Sequence, residues 1–578
     1  MNKLKTVLPV LLISNLLCMM DVSIMTIVLP KIQSAFNVSL NDLSWALNIY
    51  TILFATMIIP LGRLAVRFGR NRMVLGGLIV FGLGSLLTGN APDLPWMLVG
   101  RAIQSIGAAS IIPTSMVIGL ELSTQENRNK VVALLAGVQG LAVALGPSIG
   151  GFVAQYFGWR WVFLMNVPLV ILDLIIFVAV LPLKHEVTQT IKIDWLGAIL
   201  IMATLFCLSL ALIKGYTWGW RSLTILSLAG GSLLAFVGFI SHERHTAEPM
   251  IDLSLFKSRN FDGSGLALVL CNFFLGAFAA LMPTLLTKVH GEDELSAALK
   301  ITPYSVAVML SVILTSLLVK RLNNKFLVGA GFAMIAGSYW LITQLPVTNQ
   351  YTKLYVGEIC LGIGYGLVAA TVNILVVADF HGIKLTDSQS VANVLRQVGM
   401  ILSIAVFMSL LSNNVQTAKE QTLTASRQIV SRLDVAQAVK TQANQKLTHK
   451  FDQSSNSNSQ VNRHVVFKGV TISNNKREQL IQKSTQVELG KVAMLHHIPV
   501  TMIPTKQRQQ VQATVAIAVN QTIDKKVRTT NQQLRLGVQR IQHHLTRNLN
   551  DAFLKTLQVI IPLALLSILV VATFKFRE

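Results

Sequence analysis

Fourteen stretches of this chain are apolar over roughly 20 residues, the length a helix needs to cross a hydrocarbon core about 30 Å thick. They fall at 7–30, 43–62, 73–91, 95–120, 131–157, 162–182, 194–213, 222–242, 261–288, 302–320, 325–346, 351–378, 388–412 and 553–574. Only 13% of residues are charged and 52% are apolar, with a mean hydropathy of +0.57. A soluble protein carries roughly a quarter charged residues. The chain is therefore expected to be an all-α integral membrane protein. Its spans group as six, two and six. That grouping reads as an N-terminal half over 1–182, an inserted pair over 183–260, and helices nine to thirteen of a second half over 261–412. The last helix and a short tail follow at 553–578. Repeated halves with a site at their interface are a recurring design of secondary transporters.

The loop Gly62-Arg63-Leu64-Ala65-Val66-Arg67-Phe68-Gly69-Arg70-Asn71-Arg72 sets the orientation. It holds four arginines and no acid, and such a loop resists passage through a bilayer, so it is expected in the cytoplasm. Alternation then puts both termini inside. Cytoplasmic loops and termini hold about nineteen Lys and Arg, against about seven in the six short external loops. The N-terminus leads into an apolar run with no small-residue cleavage signal, so it is read as a retained first helix. Together with the compact loops, this suggests a bacterial plasma membrane. Cys18, Cys207, Cys271 and Cys360 all fall in apolar runs, where lone thiols act as small hydrophobes; no disulfide or metal site is expected. The net charge of +23 does not read as nucleic-acid binding, because basic patches interleaved with base-stacking aromatics are absent. With no P-loop lysine motif, transport would draw on an ion gradient or run downhill, with no cofactor.

Residues 413–552 break the pattern. They are rich in Gln, Asn, Thr and Lys, and carry twenty basic residues against seven acidic ones. By alternation they lie outside the cell, and they are too long for a structureless connection. No proline occurs from Gln507 to Lys555, and Val511, Val515, Val519, Ile523, Val527, Leu534, Val538, Ile541 and Leu545 recur at helical spacing. A long helix is expected to run straight into the last span, packed by a partner near 415–447. A small hairpin is expected from His464–Phe467 and Val470–Ile472. The whole reads as a small, basic, mostly helical external domain.

Charges inside the apolar runs are expensive and usually functional. Asp21 sits well inside the first helix, where an acid can take and release a proton, meet a cationic substrate, or pair structurally with a neighbouring helix. Arg101, in the fourth helix, must be paired or solvated. If Asp21 or Glu358 approaches it, protonation of the acid would break the pair and free the helices to move; tied to backbone carbonyls, it would serve packing alone. Glu358, in the outer part of the twelfth helix, is either an auxiliary proton or cation site or an acid that snorkels to the headgroups. Glu121 and Asp379 lie at cytoplasmic helix ends and are expected to be exposed.

These residues sit in recognisable motifs. The arginine loop resembles G-x-L-[AS]-D-R-x-G-R-[KR], the signature between helices two and three of the major facilitator superfamily, with Val66 in place of the aspartate. Met20-Asp21-Val22-Ser23-Ile24-Met25-Thr26-Ile27-Val28-Leu29-Pro30 resembles the L-D-x-T-I-V-N-V-A-L-P motif of its 14-helix drug:proton antiporters, with Ser23 and Thr26 as departures. Arg101-Ala102-Ile103-Gln104-Ser105-Ile106-Gly107-Ala108 resembles R-x-x-Q-G-x-G-A. Gly146-Pro147-Ser148-Ile149-Gly150-Gly151 resembles the exporters' G-P-x-x-G-G, with Ala142 where glycine often precedes it; glycines let helices approach and proline bends them. Trp159-Arg160-Trp161-Val162-Phe163-Leu164-Met165-Asn166-Val167-Pro168 resembles their W-R-W-x-F-x-x-N-x-P turn. Asn393 and Arg396-Gln397-Val398-Gly399 resemble N-x-x-R-Q-x-G.

The resemblance covers 7–412 and the final helix, not the external domain. It implies rocking of helices 1–6 against 9–14 around a central cavity. Gly62, Arg63, Arg67, Gly69, Arg70 and Arg72 would form the gating loop, while Asn166, Arg396 and Gln397 would be structural residues at helix ends, Arg396 near the cytoplasmic gate. In the family the loop aspartate clamps that gate, which Val66 cannot do. Either the arginines grip helix C-termini and lipid phosphates unaided, or a different resting state is favoured.

The reading that best fits is a proton-coupled exporter of amphipathic, cationic or lipophilic drug-like compounds, of the kind that confers antibiotic resistance. A second reading is export or flipping of a lipid or envelope precursor, since clustered basic residues attract anionic headgroups and polymers. A third makes the chain a membrane anchor that displays its basic domain to a wall polymer; Asp21 and Arg101 argue against it. The partners expected are small amphipathic substrates, protons, membrane lipids and anionic envelope polymers at 413–552, but not nucleic acid.

Overall fold

Helix follows helix in the computed structural model, which describes residues 2–38, 40–124, 127–181, 186, 188, 192–319, 321–348, 350–456, 470–495, 497 and 499–574. The N-terminal half contains α1 (Asn2–Phe36), α2 (Leu40–Phe68), α3 (Arg70–Gly89), α4 (Leu94–Glu121), α5 (Arg128–Tyr156), α6 (Trp159–Leu164) and α7 (Asn166–Val180). The inserted pair is α8 (Trp195–Trp218) and α9 (Leu223–Glu243). The second half contains α10 (Arg259–Thr284, continued by a π turn at Leu285–Val289), α11 (Glu294–Leu318), α12 (Asn324–Ile342), α13 (Thr352–Ala378) and α14 (Ile383–Ser431). After α15 (Gln437–Asn456) and α16 (Asn474–Leu495), α17 (Thr505–Gln558) leads into α18 (Ile560–Leu566) and a final 3-10 turn. No described residue is in a strand.

Among the described residues, thirteen helical stretches are long and apolar enough to cross a membrane, with α6 and α7 forming one of them and α17 with α18 another. The fifth predicted span, α5, is 29 residues long and holds the shorter apolar stretch Lys130–Ala142. Several starts are written in the sequence as polar caps: Asp93, Asp194, Ser222, Ser258, Asp293 and Asn323 each accept from a first-turn backbone N–H of the helix they precede.

The chain divides into two compact units, Met1–Val415 with Asn550–Glu578, and Gln416–Leu549. In the first, α4 is central, with 89% of its most apolar stretch buried, whereas α9 is peripheral with 17%. Leu223, Leu233 and Leu234 on α9 are largely exposed, which suits a lipid-facing helix. Association between membrane helices relies on close packing of small residues, and both halves use it. A Cβ on Gly84 would lie 2.5 Å from the Gln104 nitrogen, and one on Gly107 2.6 Å from the Gly77 carbonyl, so α3 and α4 touch backbone to backbone. The second half repeats the device, where Gly331 of α12 and Gly364 of α13 face each other's carbonyls. The halves meet along α5 and α11, where the Ser148 and Thr302 hydroxyls lie 3.2 Å apart.

The second unit is helical and amphipathic. Val430, Leu447 and Ile541 form its small apolar cluster; Arg477 pairs with Asp524 and donates to Asn520 Oδ1 at 3.3 Å. α14 passes unbroken through residue 412, and α17 through 552, so the boundaries drawn at those positions fall inside helices. The first strand of the expected hairpin, 464–467, lies outside the described residues. Val470–Ile472 forms no strand, because the Asn531 side chain takes the place of a ladder partner: the Val470 N–H donates to Asn531 Oδ1 at 2.8 Å and its carbonyl accepts from Nδ2 at 3.2 Å.

Candidate functional site

Asp21 and Arg101 are each 1% exposed and form an ion pair through Asp21 Oδ2 and Arg101 Nη1. Arg101 is on α4 one turn from Gln104, so the two share a face. Gln104 Nε2 donates to Asp21 Oδ1 at 3.1 Å and to Ser85 Oγ at 2.7 Å, while its Oε1 accepts from Arg101 Nη1 at 3.1 Å. Asn166, placed at the break between α6 and α7, donates to Asp21 Oδ1 at 3.3 Å. Arg101 Nε reaches the Ala46 carbonyl at 3.2 Å, and the guanidinium lies over the Tyr50 ring at 4.5 Å. Every contact to Asp21 is a donor, the pattern of an ionised carboxylate. Five helices thus converge on one satisfied charge pair. Removing the negative charge would strand a buried arginine, a change worth several kcal/mol, so a proton or a competing cation at Asp21 would act on the packing of α1, α2, α3, α4 and α7.

Glu358 does not join this pair. It lies on α13 of the second half, fully buried, and neither carboxylate oxygen has a hydrogen-bond partner. Snorkelling is therefore excluded. One turn on, Gly362 packs against the Tyr304 carbonyl and Ala307 of α11, so this face of α13 is closed by protein.

Arg396 also departs from expectation. α14 begins at Ile383, so Arg396 is not at a helix end but about 20 Å along it. It donates to Asn393 Oδ1 at 3.1 Å, to Asn373 of α13, and to Gln139 Oε1 of α5 at 3.3 Å. Gln139 continues to Asn15 of α1 at 2.9 Å. Amides, not acids, carry this line between the halves. Gln397 beside it is half-buried. Gly399 packs a backbone surface onto the Val269 carbonyl of α10.

The arginine loop binds the two halves together at its end of the molecule. Arg63 pairs with Asp387 of α14 at 3.3 Å, both nearly buried. Arg70 pairs with Glu121, which is partly exposed, and donates to Thr386 Oγ1 at 2.9 Å and the Gly382 carbonyl at 3.3 Å. Arg67 and Arg72 are exposed. A Cβ on Gly62 would collide with Ser390 Oγ, so this glycine allows α2 to approach α14. Gly69 turns the chain at φ +106°, a conformation glycine adopts freely. Val66 is buried and carries no charge. Acids from elsewhere meet this loop: Asp387 takes Arg63, and Glu186 accepts the Asn71 N–H at 2.6 Å at the α3 N-terminus, where negative charge is favoured. Asp379 accepts from Ser258 at 2.7 Å.

The Gly146–Gly151 motif lies on α5 between α1 and α11. A side chain at Gly146 would collide with Ser23 Oγ, and one at Gly150 would meet Ile24 at 2.9 Å. Gly151 faces Leu295 of α11 at 3.6 Å. Pro147 follows within the same helix. Ser23 Oγ, which donates to the Met20 carbonyl of its own helix at 3.0 Å, also lies 3.3 Å from the Ala142 carbonyl of α5, two residues from Asp21.

Sequence reasoning missed Asp173, Asp387, Glu186 and the bridging role of Gln104. Asp173 was open to the rule that found Asp21, being a lone acid in the apolar run 162–182. It is fully buried on α7, and its Oδ2 lies 2.5 Å from Ser14 Oγ of α1. Asp387 sits one residue outside the predicted thirteenth span, and no local signal names its partner.

The family model described as Major Facilitator Superfamily matches residues 11–404. The chain is 32% identical over 409 residues to the lincomycin resistance protein of Streptomyces lincolnensis, covering 69% of this chain and 83% of that one. It is 28% identical over 418 residues to the multidrug transporter protein MdtP of Bacillus subtilis (strain 168), covering 71% and 76%. Its fold is similar to that of the human organic anion transporter MFSD10, with a TM-score of 0.51 and 14% identity over 70% of this chain and 94% of that one. With the family model matching residues 11–404, more than half of its length, and a relative 32% identical over 409 residues, this chain is a transporter and not an enzyme, and it belongs to the Major Facilitator Superfamily.

Proposed function

We propose that this transporter is a proton-coupled exporter of amphipathic, cationic or lipophilic drug-like compounds. The observation that carries the reading is the Asp21–Arg101–Gln104 cluster, a buried charge pair with no free acceptor, held where α1, α4 and α7 meet. Intramembrane acids of this kind commonly serve proton relays. Asp21 exchanges a proton for substrate: protonated, it releases Arg101 and loosens α1 from α4; deprotonated, it draws them together again. The names of the relatives, lincomycin resistance and multidrug transport, support drug-like substrates. Rocking of helices 1–6 against 9–14 exposes the cavity alternately to the two sides. Glu358 is an auxiliary proton site; among the described residues neither of its oxygens has a hydrogen-bond partner.

The arginine loop supports a cytoplasmic position for its end of the molecule. The Arg63–Asp387 pair then latches the cytoplasmic gate in place of the missing loop aspartate. The basic segment 413–552 lies outside a bacterial plasma membrane, where its charge suits anionic envelope polymers or headgroups.

The test is efflux of ethidium from cells expressing the wild type or Asp21→Asn at matched surface levels, with and without a protonophore. Efflux lost to both the mutation and the protonophore is expected. Efflux that survives the protonophore rules out proton coupling, and efflux unchanged by Asp21→Asn removes Asp21 from the coupling step.

A further inference from the structure

We infer that Asp173 and Ser14 form a second proton-binding site in the N-terminal half, occupied by a proton in this conformation and in line with Asp21. The site deepens the proton-coupled reading above and rests on it for its role in transport.

Two observations carry it. The first is hydrogen-bond valence. Ser14 Oγ lies 3.0 Å from the Val10 carbonyl and 2.5 Å from Asp173 Oδ2. A hydroxyl has one hydrogen and two lone pairs. That one hydrogen, set between the Val10 carbonyl and Asp173 Oδ2, is the most that Ser14 offers the carboxyl group. Its other oxygen, Oδ1, is buried without a partner, an arrangement far less costly for a neutral carboxyl than for a carboxylate. Asp21, which receives only donors, is the opposite case.

The second is placement. Ser14 is two helical turns before Asp21 on α1, and Asp173 two turns after Asn166 on α7, so the contacts Asp21–Asn166 and Ser14–Asp173 are successive rungs about 10 Å apart. Cys18, fully buried, lies between them within electrostatic reach of both carboxyls. α1 and α2 form a hairpin, and α2 ends at the arginine loop, so Asp173 is on that loop's side of Asp21.

The charged groups around it do not neutralise it. On α1, Cys18 and Asp21 face this line, Lys5 lies near the exposed start of the helix, and Lys31 donates to the Ala154 carbonyl. α3 carries Arg70 and Arg72 at its first turn, and Arg70 is bound to Glu121. On α6, Arg160 reaches the Ala91 carbonyl. Among the described residues none of these cations pairs with Asp173. Asp173 gives its proton to the arginine-loop side and is recharged by the proton leaving Asp21, so no charge is left alone at either rung.

The experiment is infrared spectroscopy of the purified full-length protein, following the C=O stretch of protonated carboxyl groups, together with ethidium transport by inverted membrane vesicles. Asp173→Asn is expected to delete one component of the band at neutral pH, and Asp21→Asn to leave that component in place. Asp173→Asn should also slow proton-driven ethidium transport by roughly a hundredfold, the low end of what a positioned proton-transfer group supplies, with Asp173→Glu recovering part of it. A band identical in wild type and Asp173→Asn overturns the site. Should Asp173→Asn fail to insert, Ser14→Ala must still shift the frequency of that component, and an unmoved band counts equally against the site. Loss of the band component with transport unchanged overturns the relay. Absence of proton-driven transport in the wild type would instead strike the exporter reading, and the band would still decide the site.

Discussion

In the N-terminal half the buried acid and the buried arginine neutralise each other, Asp21 against Arg101, with Gln104 and Asn166 completing the carboxylate. In the second half the corresponding charges stand apart. Arg396 is held by the amides of Asn373, Asn393 and Gln139, and Glu358 is buried on α13 with both oxygens unpartnered. The packing of the halves does not share this asymmetry. α3 on α4 and α12 on α13 use the same glycine contacts, as do α1 on α5 through Gly146 and α10 on α14 through Gly399. Repeated architecture has been kept, and charge distributed unequally on it. A salt bridge responds to a single proton, whereas an arginine held by neutral amides does not. The proposed mechanism accordingly makes the first half the switch and the second the frame it moves against.

The largest effect should come from breaking the pair from its basic side. Arg101→Ala leaves Asp21 buried without its cation, which costs about 3–5 kcal/mol; a thermal melt in detergent should drop sharply. The double variant Asp21→Asn with Arg101→Gln should recover most of that stability and none of the coupled transport. A double variant that pumps would show that the charge pair is structural. Next comes the α1–α5 contact. Gly146→Val puts a branched side chain onto Ser23, and overpacking of this kind costs about 1–3 kcal/mol. Transport should fall well before surface expression does, and unimpaired transport would mean that α1 need not sit this close to α5.

Asp387→Asn should have a smaller effect of about 1–2 kcal/mol, enough to shift a two-state equilibrium by roughly 5–30-fold. With Arg63 released from its partner across the halves, a cysteine placed near Ser390 should label faster. Unchanged labelling would mean that Arg70 and the close approach at Gly62 latch this end alone. Smallest is Glu358→Gln, which copies the neutral acid in shape and charge. Stability should change by no more than about 0.5 kcal/mol, and ethidium efflux should stay within a few-fold of wild type. Abolished efflux would dissolve the contrast between the halves and make Glu358 a coupling residue like Asp21.

Much of this was legible in the chain because lipid imposes long apolar runs and makes every internal charge conspicuous. Asp21 and Arg101 could be named for that reason. Their pairing could not, since it joins helices eighty residues apart and Glu358 was an equal candidate on sequence. Arg396 was misplaced because α14 starts at Ile383, in a polar stretch, Lys384 to Ser390, that hydropathy does not read as helix. Val66 looked like a lost clamp, yet Asp387 and Glu186 supply acids from remote positions that only folding brings to the loop. The long helix of the basic segment followed from its apolar periodicity and lack of proline, while the short hairpin rested on a few β-branched residues, too brief a pattern to fix a strand.

The central claim is that Asp21 gives up a proton when substrate binds. It is tested most directly by adding ethidium to the purified protein in weakly buffered detergent and recording pH. The account predicts that the wild type changes the pH on binding and that Asp21→Asn, still binding ethidium, does not. Equal proton release from the two proteins would contradict it and move the coupling site elsewhere in the bundle.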